Sequence, residues 1–251
     1  MRYPWAASFC GLLALAAAGC GTLGGGPPLR IGVTPDFPPV ISKVNGEMVG
    51  LEADFAQALA GELGRPLQWV ELPWERQIPA LLEGKTDLVM AGMSVTAARK
   101  VQIDFCHPYM KSGLMALARR KSAARYETQE ALFRSEARVG AKKGTTADVF
   151  AQERFRRSRV IHFEVPHDAA LALQRNTLDV YLDDAPAIRW LGSKYEADLA
   201  VLPFRLTEEE LAWGVSPDNA VLKSRVNAIL AAWQADGTLD QFLGRWIPAG
   251  R

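Results

Sequence analysis

The segment Ile78-Pro-Ala-Leu-Leu-Glu-Gly-Lys-Thr-Asp87-Leu-Val-Met-Ala-Gly92-Met-Ser94-Val-Thr96-Ala-Ala-Arg99 passes through three kinds of backbone in turn. Ile78, Leu81 and Leu82 share one face of a short helix. Asp87–Ala91 is an apolar run of the length of a buried strand. Gly92 ends that run and lets another group approach the main chain. Beyond it, Ser94 and Thr96 offer hydroxyls and N–H groups, and Arg99 offers a planar fork of donors. Ligands of open α/β sheets bind at the carboxyl ends of strands. Donors massed there suit a carboxylate, which arginine holds through two parallel hydrogen bonds. A plainer arrangement fits the same residues, with Thr96 capping a short helix and Arg99 in a surface ion pair.

The alternation continues on both sides. Upstream, Leu29–Val33 and Leu67–Glu71 read as strands. Leu51, Phe55, Leu59 and Leu63 recur every four residues as one stripe of a helix that Gly64 stops. Downstream, strands are expected at 113–118, 137–140, 160–163 and 178–182, with helices opening near Thr145, Ala169 and Asp184. Pro186 falls in the first turn of the last of these, where it is tolerated. Leu222, Val226, Ile229, Leu230 and Trp233 then mark a long amphipathic helix broken by Gly237. A short helix with Leu239, Phe242 and Trp246 follows. The pattern predicts an α/β fold with parallel sheet, arranged as two lobes.

Three further places carry possible chemistry. Gly144-Thr145-Thr146 precedes a helical run, and a helix start attracts anions. It lacks the Gly-Lys-Ser/Thr ending of a phosphate loop, and an ordinary threonine cap explains it equally well. Asp183-Asp184, at the end of a strand, suits an ammonium group or a helix cap. Phe37, in Pro35-Asp-Phe-Pro-Pro39, and Trp74 lie in loops that leave strand ends, where an aromatic can cover a ligand side chain. There is no Gly-x-Ser-x-Gly elbow. His107, His162 and His167 have no metal-ligand spacing. No catalytic residue, metal or cofactor is expected.

The 251 residues carry 29 Lys+Arg against 28 Asp+Glu, a balance with no global field for nucleic acid. With 49% hydrophobic and 23% charged residues, the composition is that of a globular chain. The apolar run Ala6–Ala18 is too short for a membrane span and matches a signal-peptide core. It ends Ala17-Ala-Gly-Cys20, small residues before a cysteine, read here as a lipidation site at Cys20. Ala17 stands where leucine is favoured. The Gly/Pro-rich 20–28 would be a tether. Cys106 is then the one cysteine of the mature body, which must hold without an internal disulfide.

Taken in order, these segments resemble the family 3 extracellular solute-binding proteins, the polar amino acid receptors of ABC importers. The resemblance spans about Leu29 to Trp246. It is carried by the segment Ile78–Arg99 continued through Asp104-Phe and Pro108-Tyr109, with Gly50-Leu-Glu-Ala-Asp54, Gly144-Thr-Thr146, Leu178–Asp184 and the closing Gly237…Trp246. It implies two α/β lobes joined by two crossing strands. The division would be a signal at 1–19, a tether at 20–28, lobe 1 at 29–112 and 208–251, and lobe 2 at 113–207. By motif, Arg99 would hold an amino acid's α-carboxylate with Ser94 and the Thr146 backbone. Asp184 would take the α-ammonium with Gly92 and Ser94. Phe37 and Trp74 would flank the side chain, and Glu52, Lys142 and Asp183 would complete its subsite. Two acids against one base favour a cationic ligand over a glutamine-like one. Cys106, Glu52 and Asp183 depart from the usual family residues. The resemblance further implies a lipid-anchored monomer in the periplasm or at the cell exterior, serving an ABC permease. A cyclohexadienyl dehydratase-like enzyme, using Glu52 or Asp183 as its acid, and a ligand-sensing domain are the alternatives on the same scaffold.

Overall fold

The computed structural model describes residues 26–247. Two five-stranded sheets organise the chain. In the first, Leu29–Val33 lies between Leu67–Glu71 and Leu88–Val89 and runs parallel to both. Gly214–Val215 and Asp104–Phe105 complete it. In the second, Val139–Ala141 runs parallel to Val160–His162 and Val180–Asp184. Leu114–Arg119 and Leu199–Val201 extend it.

The sequence predicted parallel sheets, and both are mixed. Gly214–Val215 is antiparallel to Leu88–Val89 and Asp104–Phe105. Leu114–Arg119 is antiparallel to Val180–Asp184 and Leu199–Val201. The exceptions have a common cause. Leu114–Arg119 and Gly214–Val215 are the strands by which the chain enters one lobe from the other. A strand arriving that way needs no crossover helix and is free of the parallel constraint that βαβ units impose. Each follows a member of the antiparallel pair Met110–Ser112 and Glu209–Leu211, which joins the lobes.

The helix Leu51–Leu63 buries Leu51, Phe55, Leu59 and Leu63 and ends on Gly64, at φ 65°. That left-handed cap suits glycine. Phe55 anchors the first core, with ring centroids 5.2–5.9 Å from Phe242, Tyr109, Trp213 and Trp233. The C-terminal helices Ala220–Asp236 and Thr238–Trp246 therefore seal the N-terminal lobe, though more than 150 residues separate Leu63 from Ala220. In the second lobe, Val180 and Leu182 pack on one face of the sheet and Tyr181 on the other, the period of two of a strand. Among the described residues no helix is long and apolar enough to cross a membrane.

Candidate functional site

The lobes face each other across a cleft that is partly open to solvent. The first lobe lines it with Thr34, Asp36, Phe37, Trp74, Ala91, Gly92, Ser94 and Arg99. The second contributes Lys142, Thr145, Thr146, Pro166, Asp183 and Asp184. Thr34, Trp74, Ala91 and Lys142 follow closely on the ends of parallel strands, where a doubly wound sheet presents ligands.

Arg99 sits in the four-residue helix Ala97–Lys100, whose cap is Thr96: its Oγ1 accepts from the Arg99 N–H at 3.2 Å. Capping and a place in the cavity therefore coexist. The guanidinium donates from Nη1 to the Ser94 carbonyl at 2.8 Å and lies 5.0 Å from the centre of the Trp74 ring. Burial lowers its pKa, against the opposing charges of Asp184 and Glu209. A guanidinium stays charged even so. Gly92 has φ +65°, and a side chain there would strike the Phe37 ring. The ring thus lies flush on the cavity floor.

Asp184 precedes the helix Ala185–Lys194, yet its side chain makes no capping bond. Its Oδ1 accepts from the Ser112 hydroxyl at 3.2 Å instead. Burial, then the charges of Asp183 and Glu209, hold its carboxyl well above the usual range. Asp183 accepts from the Tyr181 hydroxyl at 2.7 Å and from the Asp184 N–H at 2.9 Å. Burial pushes it up to about 6. Thr145 caps the helix Thr146–Arg154, its Oγ1 accepting from the Asp148 N–H at 3.3 Å.

Two contacts span the cleft. Lys142 Nζ donates to Asp36 Oδ2 at 2.5 Å, and Trp74 Nε1 donates to the Gly144 carbonyl at 3.0 Å. Lys142 thus points inward and takes a carboxylate that the sequence reading passed over.

The structure brings together Phe37, Trp74, Gly92, Ser94, Arg99, Lys142, Thr146, Asp183 and Asp184. Glu52, expected as a wall of the side-chain subsite, lies outside the cavity lining. It is fully buried, its Oε2 accepting from the Gly92 N–H at 2.9 Å and its Oε1 from the Tyr109 hydroxyl at 2.6 Å. Burial pushes it up to about 7. It supports the cavity floor from behind. The signal lay in its spacing: Glu52, Phe55, Ala56 and Leu59 fall on one helix face, and all four are buried. Thr34, Ala91 and Pro166 line the cavity without a sequence signal that assigns them to it, and Thr145, of the Gly144-Thr145-Thr146 donor site, lines it while capping its helix. Asp36 lines it too and had a readable signal, a charge beside Phe37 directly after a strand end.

Two α/β lobes closing on a charged cleft, with an arginine fork facing a pair of carboxylates, define a ligand-trapping binding protein. The chain belongs to the bacterial extracellular solute-binding proteins, family 3, whose profile matches residues 29–249. It is 29% identical over 227 residues to ABC transporter arginine-binding protein 1 of Escherichia coli (strain K12), covering 88% of this chain and 90% of that protein. Among solved structures it resembles the ancestral amino acid-binding protein AncCDT-1, a precursor of cyclohexadienyl dehydratase. That match has 32% identity and a TM-score of 0.82, and covers 87% of this chain and 95% of the other. An ancestral arginine-binding protein bound to arginine matches with 27% identity and a TM-score of 0.82, over 89% and 100% of the two chains.

Proposed function

We propose that the protein is an extracytoplasmic receptor that traps a cationic amino acid between its lobes and delivers it to an ABC import permease. The charge count of the cavity carries this reading. Asp36, Asp183 and Asp184 line it against Arg99 and Lys142. An amino acid with its α-carboxylate on Arg99 and its α-ammonium on Asp184 leaves two acids facing one base. A cationic side chain balances that remainder. A neutral aliphatic one leaves Asp183 buried without a cation, which is expensive. The aromatic walls Phe37 and Trp74 suit the stem and face of a guanidinium. The arginine-binding relatives point the same way. Competition binding with arginine, lysine, glutamine, glutamate and leucine tests it. Tight leucine binding with no arginine binding refutes the cationic ligand.

A transport role, not catalysis, fits the site better. Of the two acids considered for a dehydratase, Glu52 stands behind the cavity floor and Asp183 accepts hydrogen bonds on both oxygens. Turnover of prephenate or arogenate by the purified protein would overturn this. Cys20, outside the described residues, is proposed as the point of lipid attachment for a monomer held at a bacterial membrane. Cys20→Ser should release the protein from the membrane fraction or block its processing. Unchanged fractionation would refute the anchor.

A further inference from the structure

We propose that Lys142 sets ligand specificity by withholding Asp36: the Asp36–Lys142 pair latches the two lobes and removes one carboxylate from the ligand's reach, so Asp183 is the acceptor left for a side-chain cation. This deepens the reading of the site as one for a cationic amino acid and rests on it.

The geometry is specific. Lys142 follows the strand Val139–Ala141 of the second lobe, and Asp36 lies just beyond the strand Leu29–Val33 of the first. The ammonium and carboxylate meet at 2.5 Å, with side chains 12% and 25% exposed. Both line the cavity beside Asp183 and Pro166. The Trp74–Gly144 hydrogen bond closes the same cleft. The charge of Lys142 acts on both acids of the subsite: it opposes the burial that raises Asp36 and the burial that raises Asp183. Every cation entering the subsite therefore meets the repulsion of Lys142 while drawing on carboxylates that Lys142 already partly neutralises. The lysine weakens charge selection even as it helps to close the trap.

Closure and selection separate by experiment, because loss of the latch weakens all ligands alike while loss of the charge changes their ratio. The test compares arginine with citrulline, its uncharged isostere, by calorimetry on the wild type and on Lys142→Met, Lys142→Arg and Asp36→Asn. Lys142→Met should raise the arginine-to-citrulline affinity ratio at least about tenfold, the scale of one unit charge within a few ångströms in a partly buried site. Lys142→Arg, which keeps the charge, should leave the ratio near that of the wild type. Asp36→Asn should lower it. A ratio in Lys142→Met equal to that of the wild type overturns the proposal, whatever happens to the absolute affinities. If the wild type binds glutamate in place of arginine, the ligand class fails separately. The ratio is then read with glutamate against glutamine, where Lys142→Met should lower it and an unchanged value again overturns the proposal.

Discussion

Replacing Arg99 by alanine tests the α-carboxylate clamp most directly. The guanidinium is held between the Ser94 carbonyl, the Trp74 ring and the field of Asp184. Its removal acts twice. It takes away the partner of the ligand carboxylate, and breaking a buried pair by removing one member costs about 3–5 kcal/mol. It also takes away the positive charge that holds the Asp184 carboxyl down. Asp184 then rises further and offers the α-ammonium a less ionised acceptor. At about 1.4 kcal/mol per decade, the direct effect alone weakens binding by roughly two to three and a half decades. Because the cleft stays partly open to solvent, roughly a hundredfold is the lower bound. Arg99→Lys keeps a charge without the fork and should lose about 1.5–3 kcal/mol, the value of a hydrogen bond to a charged group. Titration calorimetry measures both, with circular dichroism to check folding. Arg99 lies in a four-residue helix at the cleft, so the fold should survive. An Arg99→Ala variant that folds and binds arginine within a few-fold of the wild type refutes the clamp.

Ligand binding should release protons as pH falls toward 6, because a bound cation ionises Asp183, which burial raises to about 6, and favours the ionised form of Asp184, which burial also holds above the usual carboxylate range. Affinity should then climb as pH rises through 6, and binding heats that do not vary with buffer ionisation enthalpy would contradict this. Phe55→Ala should cost about 3–5 kcal/mol in denaturant unfolding, since its ring touches four other aromatics of the first core. The Glu52 carboxyl ionises at about 7 when folded, against 4.5 for an unperturbed group. The stability this lends is complete below 4.5 and disappears as pH rises through 7. Between those limits the wild type should lose about 3 kcal/mol relative to Glu52→Gln. A stability gap between the two that is flat in pH would rule this out.

The contiguous features of the site were legible in the sequence. The apolar run to Ala91, the glycine after it and the donors up to Arg99 lie within one short segment, and each has a local reason to be where it is. Asp184 was legible as a strand-end acid, and the two roles that sequence allowed it were separated only by geometry. Its side chain turns to Ser112 and away from the helix it precedes. At Glu52 charge and helical phase point in opposite directions, and phase prevails. The phase placed it with Phe55 and Leu59 in the core, and the core supplied two donors that make burial tolerable. The mixed sheets were not legible, because strand direction follows from which lobe the chain arrives from, and no local pattern encodes that.

What escaped the sequence most completely is the contact that decides specificity. Asp36, in the short strand Asp36–Phe37 of the first lobe, and Lys142, just after the strand Val139–Ala141 of the second, are 106 residues apart. Neither segment alone implies the other, and the pair spans the cleft. The α-amino and α-carboxylate groups are common to all amino acids, so the clamp that reads them can be written into strand ends and helix starts within single lobes. Discrimination among side chains is different. It depends on residues that meet across the cleft, and so recognition and closure are one event at Lys142. A substitution there moves the absolute affinity through closure and the ratio of affinities through charge, and only the ratio reports on what the site selects.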